Sequence, residues 1–188
     1  MKCDCILAGV GGQGVLSVAA IMAHAAVNAG FTVRQSEVHG MAQRGGAVLS
    51  HLRISDTHTR IACDLVPRGA ADLIVSMEPL ESLRYLPWLS PEGALVTASE
   101  PFVNIPDYPE TDRIRAAVLG LPRSRLVEAA ALAKEAGLVK AVNMVMVGAA
   151  SPWFPVEAAV LEQTISALFA AKNPEANLKA FRAGRDSA

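Results

Sequence analysis

Apolar and polar positions change period several times along this chain, and each change marks the edge of a predicted element. Lys2 to Ala8 alternates, then runs apolar and stops at glycines, as a first strand does. Val15, Leu16, Val18, Ala19, Met22, Ala25 and Ala26 recur at three- and four-residue spacing, which predicts a helix that stops at Asn28 to Gly30. Phe31 to Gln35 predicts a second strand, so the chain opens as a βαβ unit. Beyond the polar, glycine-bearing stretch Ser36 to Gly46, Ala47 to Ile54 is strand-like, and Ser55-Asp56-Thr57-His58 predicts a turn into a short strand near Thr59 to Cys63. So short a return must be antiparallel, and a mixed sheet is therefore expected.

Further along, Leu73 to Ser76 predicts a short buried strand, Pro79 to Leu86 a helix with proline near its first turn, and Ala94 to Thr97 another strand. Pro101, Pro106 and Pro109 fall between Ser99 and Thr111, which predicts an extended surface connection or partner-contacting arm. Two later helices are expected over about Arg123 to Ala136 and Val156 to Ala171, with the small-residue apolar segment Asn143 to Ala150 between them. From Pro174 a C-terminal amphipathic tail carries Leu178 and Phe181 among Lys179, Arg182 and Arg185.

Composition narrows the function classes. The 188 residues are 52% hydrophobic and 19% charged, enough to bury one sizeable core, and the length favours a single domain over 1–188. A net charge of -1 and the lack of any basic run give no footprint for nucleic acid or for an anionic membrane. No apolar run reaches the eighteen or so residues of a membrane span, and Asp4 interrupts the place where a signal peptide needs apolar residues, so a cytoplasmic protein is expected. Cys3, Cys5 and Cys63 fit a reducing compartment and are too few for a four-cysteine cluster. The mean hydropathy of +0.31 fits either a buried parallel sheet or an apolar patch for a partner, with self-association of the isolated chain as one outcome of the latter.

Candidate chemistry concentrates in two motifs. Gly9-Val10-Gly11-Gly12-Gln13-Gly14 fits Gly-x-Gly-x-x-Gly directly after a strand and before a helix, the context in which glycines let a pyrophosphate approach a helix N-terminus. Glu37, near the end of the second strand, could then meet a ribose, and a nicotinamide- or flavin-binding Rossmann-like enzyme is one reading. The second motif, Glu37-Val38-His39-Gly40-Met41-Ala42-Gln43-Arg44-Gly45-Gly46, is a run that no dinucleotide fold requires. Within it, the glycines beside Arg44 let the backbone come close to a partner or ligand while the guanidinium presents a planar set of donors.

Other polar residues read more plainly. His39, His51, His58 and Cys63 match no zinc spacing, so no metal site is assigned, and His39 is taken as a polar loop residue. Glu78 and Glu81 are read as a solvated pair on an exposed helix face. No serine nucleophile elbow, metal-binding helix or P-loop is present, and no residue of this chain is assigned a catalytic role.

The two motifs together resemble the gamma domain of the 2-oxoacid ferredoxin oxidoreductases, in the form of the small subunit of the indolepyruvate enzymes. Gly12 and Gln13 match that family's Gly-Gly-Gln-Gly signature. Asn143-Met144-Val145-Met146-Val147-Gly148 resembles another family segment, in which the asparagine could fix a turn or cap and the methionines an adaptable contact, though ordinary core suits the methionines as well. The resemblance runs from Cys5 to the helix after Pro155. It implies an α/β fold, a three-layer α/β/α sandwich with a mixed, mostly parallel central sheet. It also implies a large alpha subunit carrying thiamine diphosphate, Mg and iron–sulfur clusters, which decarboxylates an aryl 2-oxo acid such as indolepyruvate, passes electrons to ferredoxin and forms an acyl-coenzyme A. This chain would bind none of these cofactors alone and would be inactive in isolation. Its share would be to close the site or a coenzyme A channel with Gly9, Gly11 to Gly14 and Glu37 to Gly46, and Asn143 behind them. A non-catalytic binding module is the remaining alternative.

Overall fold

The structure is a computed structural model that describes residues 1–37 and 45–187. Six strands form one sheet in the order β2-β3-β1-β4-β5-β6. They are β1 (Lys2–Val10), β2 (Thr32–Glu37), β3 (Ala47–Ser55), β4 (Ala71–Ser76), β5 (Leu89–Ala98) and β6 (Ser124–Val127). The helices are α1 (Val15–Asn28), α2 (Pro79–Arg84), α3 (Thr111–Leu119), α4 (Ala129–Glu135), α5 (Val142–Ala150), α6 (Ala158–Leu168) and α7 (Pro174–Asp186). β1, β4, β5 and β6 pair in parallel, while β3 lies antiparallel between β1 and β2.

Alternation along the strands sorts the core into two faces. Cys5, Leu7, Leu73, Val75 and Val96 point to one side, where α1 and α5 lie on the sheet and α4, α6 and α7 pack with them. Ile6, Ala8, Ile74 and Leu95 point to the other, against Tyr85 and against Val118 of α3. The expected α/β/α sandwich with its mixed, mostly parallel sheet is thus what the chain forms.

The antiparallel strand is not the expected one. Residues 59–66 form no strand, because both edges of β3 are already occupied by β1 and β2. Side chains of β3 hold this segment across the sheet instead. Arg53 donates to the carbonyls of Cys63 (2.8 Å) and Leu65 (3.0 Å), and His51 Nδ1 accepts the Val66 amide at 3.1 Å. Beneath it, the Arg53 guanidinium grips the fully buried Asp4 carboxylate through two bonds of 2.8 and 2.9 Å.

Other boundaries also shift. The helix expected from Arg123 begins as β6, which completes the sheet edge beside β5, and only Ala129 onward is helical. α3 escaped the pattern because only Ile114 and Val118 of its nine residues are buried. Leu16, placed in the apolar stripe of α1, is exposed, and Ile21 takes its place in the core. α5 is buried from Met144 to Ala150, so it has no polar face to give it a readable period. α7, foreseen as a tail, crosses α5 so closely that a Cβ on Gly148 would lie 1.9 Å from the Phe181 carbonyl oxygen. That crossing makes the C-terminal helix part of the core, with Phe181 fully buried.

Candidate functional site

α1 follows β1 onto one face of the sheet and α2 follows β4 onto the other. The chain therefore changes face between the carboxyl ends of two adjacent parallel strands, where open α/β sheets leave a crevice for ligands. A cavity of about 500 Å³ opens there, lined by the Gly12 to Gly14 turn, Met77 after β4, Phe102, Lys140 just before α5 and Asn143 in its first turn.

The glycine turn is built around Gln13. Its side-chain oxygen accepts the Val10 amide at 2.7 Å and its amide nitrogen donates to the Met77 carbonyl at 3.1 Å, so one side chain joins the ends of β1 and β4. Gly9 still belongs to β1, packed under Gln13 and Val15. Gly14 has φ 81°, and a Cβ there would fall 2.3 Å from Asn143 Nδ2, which donates to the Gly14 carbonyl at 3.3 Å. Glycine is required at that position by both backbone and space. Asn143, 129 positions later in the chain, thus lies beside the turn.

The two motifs meet at their backbones. Gly11 N–H donates to the Gly46 carbonyl at 2.8 Å, and Gly45 N–H to the Gly11 carbonyl at 3.3 Å. His39, Gly40, Met41, Gln43 and Arg44, with Val38 and Ala42, lie outside the described residues. Glu37 ends β2 and accepts a hydrogen bond from Gln35. Because β3 intervenes, β2 is one strand farther from β1 than in a fold where they are neighbours, a displacement of about 4.8 Å. Glu37 is therefore poorly placed for a ribose bound over the turn. Two of the turn's amides, those of Gly11 and Gln13, are also taken by protein carbonyls. Both facts weaken the dinucleotide reading.

The proline-rich stretch 99–110 runs without regular structure, as expected, across the mouth of this crevice. Its start is tied to β6 and α4, where Ser99 N–H donates to the Val127 carbonyl and Glu100 accepts the Ala130 amide, both at 2.8 Å, and three further bonds hold it beyond. Phe102 N–H donates to Glu78 Oε1 at 3.3 Å, Tyr108 Oη donates to the same oxygen, and Asn104 Nδ2 donates to the Gly45 carbonyl at 2.7 Å. Glu78 is the correction here. It is 1% exposed and its neighbour Glu81 is 2% exposed, so the pair is buried, not solvated. Glu78 caps α2 by accepting the Glu81 amide at 2.8 Å, and burial and the nearby Glu78 charge raise the Glu81 carboxyl pKa against the opposing pull of Arg84. Burial, then the bond to Glu78, raises the Tyr108 phenol, so it stays a donor. The sequence held a signal for this: Glu78 directly precedes a proline at the first helical position, which is where a capping side chain sits.

The remaining candidates stand elsewhere. His51 is buried under the 59–66 segment and His58 is exposed, so these two histidines do not converge. Among the described residues no three His, Cys, Asp or Glu side chains are grouped to hold a metal ion. Cys3 and Cys5 are buried with sulfurs 3.7 Å apart, and Cys63 is exposed. No described helix is long and apolar enough to cross a membrane.

Known proteins share this architecture and sequence. Residues 4–187 match the family model for pyruvate ferredoxin/flavodoxin oxidoreductase. The chain is 36% identical to indolepyruvate oxidoreductase subunit IorB of Pyrococcus horikoshii, covering 95% of this chain and 92% of the relative. It is 37% identical to subunit IorB of Methanothermobacter thermautotrophicus, covering 98% and 96%. The gamma subunit of a keto/oxoacid ferredoxin oxidoreductase from Geobacter sulfurreducens superposes with a TM-score of 0.73 at 25% identity, covering 99% of this chain and 98% of that one. The match over nearly the whole chain places it in the pyruvate ferredoxin/flavodoxin oxidoreductase family.

Proposed function

We propose that this chain is the small subunit of a thiamine-dependent 2-oxoacid:ferredoxin oxidoreductase of the indolepyruvate type. The complex oxidatively decarboxylates an aryl 2-oxo acid, forms an acyl-coenzyme A and passes the electrons to ferredoxin. The observation that carries this reading is the union of the two family-matching motifs at the carboxyl end of β1, where Gly11 bonds to both Gly45 and Gly46. The identity to two IorB subunits over nearly the whole chain supports the substrate class.

The thiamine diphosphate, Mg and iron–sulfur clusters belong to a large partner subunit, where thiamine supplies the carbanion chemistry. The donor set of this chain fits that division. Its three cysteines are split between a buried pair and an exposed residue, which does not suit a four-thiolate cluster. The chain's own contribution is positioning. The Gly12 to Gly14 turn, Lys140 and Asn143 present amides and a cation, and Met77 and Phe102 present apolar surface, a combination that suits coenzyme A. Arg44 lies outside the described residues, and its proposed role, pairing with a phosphate or a partner carboxylate, rests on the chemistry of its guanidinium and on the family resemblance alone.

Purification through a tagged copy from the native source, with the partner identified by mass, tests this. A large subunit should co-purify, and the complex should reduce ferredoxin only with an aryl 2-oxo acid and coenzyme A present. Alone, the chain should be colourless and inactive. A bound nicotinamide or flavin, or a chain that retains no large subunit, would overturn the assignment.

A further inference from the structure

Glu78 sits behind the cavity and touches none of the space a ligand would fill, yet three hydrogen bonds converge on its carboxylate. Oε2 takes the Glu81 amide and is committed to α2. Oε1 takes Phe102 N–H and Tyr108 Oη, which belong to the arm. The Glu78 backbone is itself pinned, since Ser76 Oγ donates to its carbonyl at 2.6 Å and accepts its amide at 3.3 Å. The carboxylate is thus a fixed post at the end of β4, and what it holds is the wall of the cavity. Pro101 and Phe102 line that wall, and Phe102 is still 43% exposed. Pro101, Pro106 and Pro109 restrict the arm's freedom, so a few fastenings suffice to place it.

We propose that Glu78 is a positioning residue for the coenzyme A site, holding the 99–110 arm through Phe102 and Tyr108 as the cavity's outer wall and thereby setting how tightly the cofactor binds. This rests on the coenzyme A reading of the cavity. The arm is also the link between the cavity and the Gly45-Gly46 end of the second motif, through Asn104, so loosening it disturbs both edges of the site. Glu78 and its two arm donors act on binding, not on the chemistry, which belongs to thiamine.

The test is Tyr108→Phe in the full chain, assembled with its large subunit and compared with the native complex. One bond to the post is lost while the α2 cap remains. The KM for coenzyme A should rise about tenfold with kcat within about twofold, the split expected when binding alone is weakened. Hydrogen exchange at the Phe102 amide should accelerate, and exchange in β1 should not. Asn104→Ala, which cuts the arm's bond to the Gly45 carbonyl, should shift KM in the same direction. Faster exchange in the arm with an unchanged KM in both variants would overturn the proposal. The reading beneath it is read separately: if coenzyme A leaves the amides of Gly12, Gly14 and Asn143 in the native complex as exchangeable as before, the cavity is not its site.

Discussion

Asp4 and Glu78 are both carboxylates with almost no exposed surface, and each ties an irregular segment to the sheet, but their charges are balanced in different ways. Asp4 faces the Arg53 guanidinium over two short bonds and the Lys2 ammonium at 2.6 Å, and the same guanidinium holds the carbonyls of Cys63 and Leu65. Glu78 is met by two backbone amides and a phenol, all neutral. Loss of either member of a buried ion pair strands a full charge, whereas neutral donors can be lost one at a time. The 59–66 segment is therefore fastened as part of the fold. The 99–110 arm is fastened in separable steps, and it is the one that borders the cavity.

The largest expected effect tests the first half of that contrast. Arg53→Ala leaves Asp4 buried without its main counter-charge and should cost about 3–5 kcal/mol in denaturant unfolding. A loss below about 1 kcal/mol would show that Lys2 alone can balance Asp4, and the distinction between the two segments would collapse. Next in size, Gly148→Ala is a lesion in neither segment. Its new methyl would meet the Phe181 carbonyl at 1.9 Å, so α5 and α7 must separate, at about 1–3 kcal/mol. It should lower the melting temperature without selectively loosening the arm, which makes it the control for Tyr108→Phe. That substitution should cost the whole molecule only about 1 kcal/mol, with its effect concentrated in exchange at the arm. A drop comparable to Arg53→Ala would place Tyr108 in the fold and not in the site.

The smallest effect concerns pH. Burial first, and the Arg53 charge second, lower the His51 pKa from its ordinary 6.5. The folded state then binds a proton less readily than the unfolded chain, so this contribution to stability is complete above 6.5 and is lost as pH falls from there towards the lowered value. Protonation also removes the acceptor that holds Val66 N–H. His51→Gln keeps an acceptor and cannot titrate, so its unfolding midpoint should depend less on pH between 7 and 5. An equal slope in both proteins would remove His51 from the fastening of the 59–66 segment.

Much of the site's framework was legible in the sequence because it rests on local rules. The glycine turn is bounded by a strand and a helix whose periods are plain, and the positive φ at Gly12 and Gly14 needs glycine. Asn143 was legible only through the resemblance, since 129 positions of chain separate it from Gly14. Glu78 and Glu81 were misread because three- and four-residue spacing of acids on a short helix looks the same whether that face meets water or an arm folded over it. The strand expected at Thr59 to Cys63 failed for a related reason: local pattern cannot show that both edges of β3 are already taken.

By itself the sequence determined the glycine turn, the periods of the clearest elements and the family, because each depends on backbone geometry or residue type over a few positions. Only the tertiary structure decided which strand runs antiparallel, that α7 is core, and that Glu78, Tyr108 and Asn104 gather with the glycine turn at the carboxyl ends of the strands. Those contacts bridge residues as far apart as Gly45 and Asn104, 59 positions along the chain, and no local periodicity carries a signal over such a separation.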